Sequence, residues 1–366
     1  MSVQTLVLFV VGLGLLVFGA RWLVAAAARL AAAAGVSSLV VGLTVVAFGT
    51  SAPELAVSVR ASWAGQADMA VGNVVGSNIF NVLFIVGAAA IVTPLVVAQQ
   101  LVRRDGPLAI GVSALVLVLA LDGRIGRGDG ALLVAGLVAY TVWVVRVGRR
   151  ESRAVAAEYA AEFGGAPAPA ARRTLPLDVG LVLLGLGMLV VGSTWLVDGT
   201  IAFARGLGIG EVVVSLTIVA AGTSLPEVAT SLTAAARGER DIAVGNVVGS
   251  NLFNLLGVLG VSAVAAPGGL SVLDSMVGFD LPIMVAAAVA CLPIWARDRT
   301  IPRWEGFLLV GWFVAYTTYL VLDATGHHAR SGYTAVMLRF VVPTTAVVLG
   351  FVAWRTWRPS HRGAAR

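Results

Sequence analysis

The sequence predicts an all-α polytopic membrane protein with two inverted five-helix repeats, a ten-span core and one extra C-terminal transmembrane helix. The prediction rests on composition, on regularly spaced apolar runs and on a duplicated pair of polar motifs. Of 366 residues, 58% are hydrophobic and 12% charged, against about 25% charged in soluble domains. The mean hydropathy is +0.93. A soluble protein is therefore excluded. The net charge of +6 indicates basic residues that set the membrane topology and not a nucleic-acid-binding surface.

The apolar runs define the spans, since crossing a bilayer takes about 20 apolar residues. Ten runs qualify, and in chain order they cover residues 4–28, 36–63, 69–97, 106–122, 129–148, 178–203, 209–236, 241–266, 276–296 and 303–323. An eleventh run, 333–356, is interrupted by Arg339 and Pro343. We expect it to form the extra helix.

The chain divides where its composition changes. Residues 149–177 are charged and then rich in alanine, proline and glycine, which indicates a cytoplasmic linker. The predicted units are the first repeat at 1–148, the linker at 149–177, the second repeat at 178–323, and the extra helix with a basic tail at 324–366.

Arginine placement predicts the orientation, because cytoplasmic loops carry an excess of basic residues. With the N-terminus outside, the outer loops hold only Arg124, Arg127, Arg205 and Arg330. The inner loops then hold Arg103, Arg104, Arg146, Arg149, Arg150, Arg153, Arg172, Arg173, Arg237, Arg240, Arg297, Arg299 and Arg303. We therefore predict a multi-pass membrane protein with its N-terminus outside.

The polar motifs repeat at an offset of 173 residues. "GLTVVAFGTSAPE" (42–54) and "SLTIVAAGTSLPE" (215–227) agree at 9 of 13 positions. "DMAVGNVVGSNIFN" (68–81) and "DIAVGNVVGSNLFN" (241–254) agree at 12 of 14. Five spans per half is an odd number, so the second copy enters the membrane inverted, as in secondary transporters with a midplane site. Duplication kept only for packing is the alternative, although packing alone does not explain why identity is closest at polar positions.

Two glutamates are the most informative of these polar residues. Glu54 and Glu227 lie deep in their spans, where an ionised carboxylate costs roughly 2.5–3.5 kcal/mol or more. No arginine lies at matching depth, since Arg60 is near a span end and Arg237 is in a loop. A soluble cation could be the partner. The alternative is a pair of protonated acids that only hydrogen-bond between helices.

Each glutamate follows a proline that weakens its helix. Pro53 lacks an amide hydrogen, so the Gly49 carbonyl loses its helical partner, and Pro226 and Gly222 repeat the arrangement. Freed carbonyls are tolerated at membrane depth where they line a cavity or meet an ion. The alternative is a simple proline kink.

The next span of each half adds a polar stripe. Its members recur every four residues and so share one helix face: Asn73, Ser77 and Asn81, then Asn246, Ser250 and Asn254. Asn73 and Asn246 could equally join helices or line a site, whereas Asn78 and Asn251 lie off the stripe and are expected to be structural. The single cysteine, Cys291, excludes disulfides. The inventory is all oxygen, which suits hard cations such as Ca²⁺ or several Na⁺.

The paired "GTSAPE" and "GTSLPE", each followed by "GNVVGSN.FN", resemble the two alpha-repeats of the sodium/calcium exchanger branch of the calcium/cation antiporter superfamily. The resemblance covers about residues 4–323 and is to prokaryotic members of the branch. It implies that the protein lies in a prokaryotic inner or plasma membrane. It implies a ten-helix inverted-repeat fold in which the second, third, seventh and eighth spans surround the ions and the first and sixth slide.

The resemblance also implies roles for individual residues. Glu54 and Glu227 would share Ca²⁺ with the carbonyls of Thr50 and Thr223. Flanking Na⁺ sites would use the two threonine hydroxyls and a further set of oxygens, from Ser51, Ser77, Ser224, Ser250 and the carbonyls of Ala47 and Ala220. Asn81 and Asn254 would close the middle of the site. Many sodium/calcium exchangers have Asp at the position of Asn254, so this site has one fewer acidic group.

The sequence thus predicts a secondary active Na⁺/Ca²⁺ antiporter and not an enzyme. We expect no cofactor, no nucleic-acid partner and, as partners, only the lipid bilayer and the transported ions Ca²⁺ and Na⁺; the oligomeric state is left open. A H⁺/Ca²⁺ exchanger is the alternative, disfavoured because proton-coupled relatives usually show a "GNATE"-like motif where this chain has "GTSAPE". A cation channel is a further alternative.

Overall fold

The computed structural model describes residues 3–34, 36–163, 175–206, 220–296, 299–341, 343 and 350. Its helices in the first half are α1 (Val3–Ala34), α2 (Ser38–Thr50), α3 (Ala52–Trp63), α4 (Ala67–Val92), α5 (a π-helical turn at Leu101–Asp105 followed by Gly106–Leu119) and α6 (Arg127–Phe163). Those that follow are α7 (Leu175–Gly206), α8 (Ala220–Gly222), α9 (Leu225–Ala236), α10 (Arg240–Ala265), α11 (a π-helical turn at Met276–Asp280 followed by Leu281–Ala296), α12 (Arg303–Ala324) and α13 (Ala329–Val336 with a π-helical turn at Met337–Val341).

The described helices confirm a multi-pass helical membrane protein. Six are long and apolar enough to cross a bilayer, and they correspond to predicted spans one, three, five, six, eight and ten. The second span is the pair α2 and α3, bent by 45°. The α-helical parts of α5 and α11, at the fourth and ninth spans, have 14 and 16 residues. The seventh span begins within 207–219, outside the described residues. The count of ten and the inverted orientation remain predictions.

The helices that carry the polar stripes lie at the centre of the bundle. Within their membrane-spanning windows, α4 and α10 are 78% and 89% buried, whereas α12 is 6% buried. α2 packs on α10, and α9 packs on both α4 and α10. Hydrophobic residues of α4 and α10, such as Val74, Ile79 and Leu252, are fully enclosed. The core therefore surrounds the polar motifs.

α1 and α7 form the most extensive helix pair in the described structure. Glycines permit the contact, because a Cβ at Gly12 would lie 2.8 Å from the Gly192 carbonyl oxygen, and one at Gly19 would lie 2.9 Å from that of Gly185. Small residues let helix backbones approach closely where lipid offers no hydrophobic driving force. Arg29 on α1 also forms an ion pair with Asp178 on α7, at 2.7 Å.

Two short ribbons join the halves near the ends of the bundle. Strand β1 (Leu95–Val96) pairs antiparallel with β4 (Thr300–Ile301). Strand β2 (Arg124–Ile125) pairs antiparallel with β3 (Leu270–Ser271). Each ribbon takes one strand from either predicted repeat, so the loops of one half are tied to those of the other.

The predicted linker and C-terminal helix are only partly described. α6 continues as helix to Phe163, well beyond the predicted span end at 148, and α7 begins at Leu175; residues 164–174 lie outside the described part. α13 contains the beginning of the eleventh run, and its Tyr333 hydroxyl donates to the Ala315 carbonyl of α12 at 2.8 Å. The remainder of that run lies mostly outside the described residues.

Candidate cation site

Two interrupted helices place the glutamates. α2 ends at Thr50, Ser51 adopts φ −86° and ψ 9°, and α3 restarts with Pro53 in its first turn. α9 begins in the same way after Ser224, at φ −90° and ψ 9°. The predicted helix breaks are confirmed. Glu54 and Glu227 therefore each lie in the first turn of a helix, where the helix dipole favours negative charge.

The two motifs meet through reciprocal hydrogen bonds. The Ser51 hydroxyl donates to Glu227 Oε1 at 2.8 Å, and the Ser224 hydroxyl lies 2.9 Å from Glu54 Oε1. Ser224 Oγ is also 3.1 Å from Ser77 Oγ. All five side chains are enclosed, with at most 1% of their surface exposed. Each carboxylate is thus held by the serine of the other motif.

Two asparagines connect the broken helices to the polar stripes. Asn73 Nδ2 donates to the Ser58 hydroxyl at 2.9 Å, and its Oδ1 accepts from the Thr223 hydroxyl at 3.3 Å. Asn246 Nδ2 donates likewise to the Ser231 hydroxyl at 3.0 Å. Its Oδ1 accepts from Thr50 at 3.2 Å. Both asparagines therefore join helices, one of the two roles left open by the sequence.

Several buried oxygens beside this network have no protein partner. Glu54 Oε2, Glu227 Oε2 and Asn81 Oδ1 accept no hydrogen bond, and neither polar atom of the Asn254 amide is paired. Burying such groups without partners is unfavourable by about 1–3 kcal/mol each, and more for a charged group. Apart from Asn254 Nδ2, these atoms are carboxylate and amide oxygens, the ligand types that hard cations prefer.

Basic residues do not neutralise the glutamates within the described part of the chain. The ion pairs found there join Arg29 to Asp178 and Arg330 to Asp323. Neither pair includes a residue of the two motifs. The chemistry of the donor set therefore fits a cation better than an anion or a neutral solute.

The structure brings most of the sequence-predicted site residues together. The side chains that are buried and belong to the network are Thr50, Ser51, Glu54, Ser77, Ser224, Glu227 and Ser250. Thr223 is half-buried. The Ala47 carbonyl already accepts from the Ser51 amide at 3.0 Å. The main chain of Ala220 begins α8.

Asn81 and Asn254 lie at equivalent points of α4 and α10, but only the Asn81 side chain has a hydrogen-bond partner. Each begins a π-helical turn, Asn81–Ile85 and Asn254–Val258; π-turns inside α-helices are frequent at functional sites. Asn81 Nδ2 donates to Asn251 Oδ1 at 3.0 Å, a contact that sequence reasoning missed. Asn78, as expected, has a structural role, since it donates to the Val74 carbonyl of its own helix at 2.8 Å.

Sequence reasoning also missed Ser58 and Ser231. Both are fully buried, and both accept from a stripe asparagine. A signal was present, because each serine follows its glutamate by four residues and the two are again 173 residues apart.

The model of the sodium/calcium exchanger protein family matches residues 4–146 and 177–322, which together include both motifs and both glutamates. The chain belongs to the sodium/calcium exchanger family. It is a membrane exchanger, and family and fold together support antiport of cations including Ca²⁺.

Alignments of this exchanger with its relatives span nearly the whole length of those relatives. The chain is 40% identical over 320 residues to CaxA of Alkalimonas amylolytica, covering 86% of this chain and 97% of that protein. It is 32% identical over 342 residues to the sodium/calcium exchanger MaX1 of Methanosarcina acetivorans, again covering 86% and 97%.

Solved structures of the sodium-calcium exchanger NCX_Mj share the fold. A structure soaked with 2.5 mM Na⁺ and 0.1 mM Ca²⁺ aligns with a TM-score of 0.72 and 29% identity, covering 86% of this chain and 97% of that one. A second, soaked with 2.5 mM Na⁺ and 1 mM Sr²⁺, gives a TM-score of 0.74 at 29% identity, covering 87% and 99%.

Proposed function

We propose that this exchanger is a Na⁺/Ca²⁺ antiporter that moves Ca²⁺ outward while Na⁺ enters. The observation that carries the proposal is the reciprocal pairing of Ser51 with Glu227 and of Ser224 with Glu54, which leaves one unpartnered oxygen on each buried carboxylate. Two carboxylates from separate motifs therefore converge on one all-oxygen site. The names of MaX1 and NCX_Mj, both sodium/calcium exchangers, support the choice of ions.

In this proposal Ca²⁺ takes Glu54 and Glu227 as shared ligands, with the carbonyls of Thr50 and Thr223. Na⁺ takes flanking positions formed by a set of hydroxyls and carbonyls, from Ser51, Ser77, Ser224, Ser250, the two threonine hydroxyls, Ala47 and Ala220. Asn81 and Asn254 close the centre. Six to eight oxygens suit Ca²⁺, and two negative charges balance one Ca²⁺ or a small set of Na⁺. The ions therefore compete for one cage, which is the physical basis of exchange.

The proposed transport cycle is alternating access between two inverted five-helix repeats, 1–148 and 178–323. The pairing of contacts across a 173-residue offset supports this plan, as does the tight α1–α7 pair. We propose that α1 and α7 slide across the site only when its charge is compensated. Residues 149–177 then form a cytoplasmic linker, with the N-terminus outside a prokaryotic cell membrane, and residues 324–366 form the extra helix and basic tail.

The test is ion flux in proteoliposomes. Na⁺-loaded vesicles holding the wild-type protein should accumulate labelled Ca²⁺ when diluted into Na⁺-free buffer. Glu54→Gln and Glu227→Gln should each abolish uptake, because each removes one of two charges that balance the ion. Glu239→Gln is the matched control; Glu239 is half-buried, lies beyond the end of α9 and should leave uptake unchanged.

The same experiment separates a second candidate, H⁺/Ca²⁺ exchange. It is favoured by one observation, that each buried glutamate has an unpartnered oxygen that could hold a proton. Uptake driven by a pH gradient and indifferent to Na⁺ would refute Na⁺ coupling. Single-channel currents in a planar bilayer would refute antiport altogether.

A further inference from the structure

A crevice outside the cation site lies between α5 and α6. It has a volume of about 490 Å³ and is lined by Arg104, Leu108, Gly136, Ala139, Tyr140 and Trp143. Its walls are almost entirely apolar, and its one charged residue is Arg104, in the first turn of α5. Trp143 is 39% exposed, so the crevice opens to the outside of the bundle.

The surrounding surface is one that faces lipid. Large apolar side chains on α5 and α6 are exposed, among them Val118, Leu132 and Val138. At the Arg104 end the surface becomes basic, with Arg103 and Arg149 also exposed. Tryptophan and arginine at the end of an apolar face are typical of the membrane–water interface.

The wall of the crevice is fixed by a buried hydrogen bond. Asp105 is fully enclosed and accepts from the Tyr140 hydroxyl at 3.2 Å and from Gln100 Nε2 at 3.0 Å. Tyr140 is thereby held against α5. The crevice is consequently a preformed feature of the helix pair and not a gap between mobile side chains.

The second half provides an internal comparison. "VAYT" occurs at 138–141 on α6 and at 314–317 on α12, so Tyr140 corresponds to Tyr316. Tyr316 donates to Asp280 at 2.7 Å, as Tyr140 does to Asp105. The same offset of 176 residues makes Gly136 the counterpart of Trp312. Pairing Asp105 with Asp280, at an offset of 175, makes Arg104 the counterpart of Phe279. The same scaffold is therefore present twice, with different residues at the opening.

In the second half this space is occupied by protein. Phe279 packs on the Tyr319 ring, with centroids 4.3 Å apart. Tyr333 of α13 bonds to the carbonyl of Ala315, the counterpart of Ala139, and the Arg330 guanidinium lies 5.9 Å from the centroid of Tyr319. The first-half crevice lacks an equivalent cover within the described residues, and it has arginine where the second half has phenylalanine.

We propose that the α5–α6 crevice binds an anionic phospholipid, with an acyl chain along its apolar walls and the phosphate at Arg104. The lipid would occupy in the first half the place that Phe279 and α13 occupy in the second. Basic pockets between transmembrane helices at the membrane surface bind acidic headgroups, and one arginine near the surface contributes about 1 kcal/mol.

Native mass spectrometry of the full-length protein tests the proposal. Delipidated protein is titrated with phosphatidylglycerol or, as the neutral comparison, phosphatidylcholine of the same acyl chains. The wild type should bind one phosphatidylglycerol more tightly than any phosphatidylcholine. Arg104→Gln should weaken that binding about five-fold, the loss expected for one interfacial arginine.

Arg103→Gln is the matched control, because Arg103 is exposed in the same turn but does not line the crevice. It should leave the affinity unchanged. Gly136→Trp copies the second half and should abolish the tight site; its fold is checked by gel filtration and thermal unfolding. Equal affinity for the two lipids, equal effects of Arg104→Gln and Arg103→Gln, or full binding by a folded Gly136→Trp protein would each overturn the proposal.

Discussion

Truncating Asn246 tests whether the hydrogen bonds between the broken helices and the stripes hold the site together. Asn246→Ala removes the bond to Ser231 at 3.0 Å and the bond from Thr50 at 3.2 Å. Both partner hydroxyls remain fully buried. In soluble proteins, leaving a buried group unsatisfied costs about 1–3 kcal/mol, which for two groups gives about 2–6 kcal/mol.

The membrane reduces that magnitude. Side-chain hydrogen bonds between transmembrane helices average only about 0.6 kcal/mol and reach about 1.7, because the unfolded chain in the membrane also finds partners. Two bonds therefore give about 1–3 kcal/mol, and this lower range is the expected loss. Thr50 also lies 3.4 Å from Ser250, so its hydroxyl can turn to another acceptor, which favours the lower part of the range.

Asn78→Ala is the matched control, since Asn78 is also an almost fully buried asparagine, at 2% exposure. Its amide donates only to Val74 of its own helix, whose carbonyl can retain its ordinary helical bond. Truncation leaves a similar space in both variants, so the cavity terms largely cancel. We expect Asn78→Ala to lose less than about 1 kcal/mol.

The assay is reversible unfolding in mixed micelles, followed by tryptophan fluorescence, with Na⁺-driven Ca²⁺ uptake measured on the same preparations. Asn246→Ala should be less stable than Asn78→Ala and should transport more slowly, because Thr50 and Ser231 lose the residue that joins them. Equal stability losses in the two variants would refute the claim that Asn246 couples the helices.

Two further predictions concern helix packing and site charge. Gly12→Ala should destabilise the protein by about 1–3 kcal/mol, as overpacking does, because its Cβ would lie 2.8 Å from the Gly192 carbonyl oxygen. Gly14→Ala is the control and should be neutral, because a Cβ there would have nothing within 4 Å. Equal thermal stability of the two variants would contradict this prediction. Asn254→Asp should fold normally, since neither polar atom of the Asn254 amide has a partner to lose. Asn254→Asp should tighten Ca²⁺ binding by about tenfold or more, because a unit charge near a divalent ion gains several kcal/mol at an effective dielectric constant of about 20. The affinity is measured by calorimetric titration. Unchanged or weaker affinity would contradict the placement of an ion beside the Asn254 amide.

The sequence predicted the site's components better than its connections. The helix breaks before Glu54 and Glu227 followed from proline chemistry, and the meeting of the motifs followed from their duplication at buried polar positions. The bond between Asn81 and Asn251 did not follow, because a helical stripe specifies which residues share a face and not which face a neighbouring helix presents. The sequence also did not predict that α6 extends to Phe163, beyond the predicted span end at residue 148. The apolar run that defines a span ends at the membrane surface, whereas a helix can continue into water.

The reciprocal serine–glutamate bonds have a consequence for how such a site can work. Glu54 accepts from Ser224, and Glu227 accepts from Ser51, so each carboxylate takes a hydroxyl from the other half of the chain. The arrangement of oxygens consequently exists only while the two halves are in register. A cation that takes up the unpartnered carboxylate oxygens adds attraction between the same two halves, and without it two negative charges lie close together. Ion occupancy and the relative position of the halves are thus energetically linked through these four residues. Ser51→Ala combined with Ser224→Ala should therefore weaken the coupling between the transported ions by more than the sum of the two single effects. Additive effects would instead indicate two independent sites.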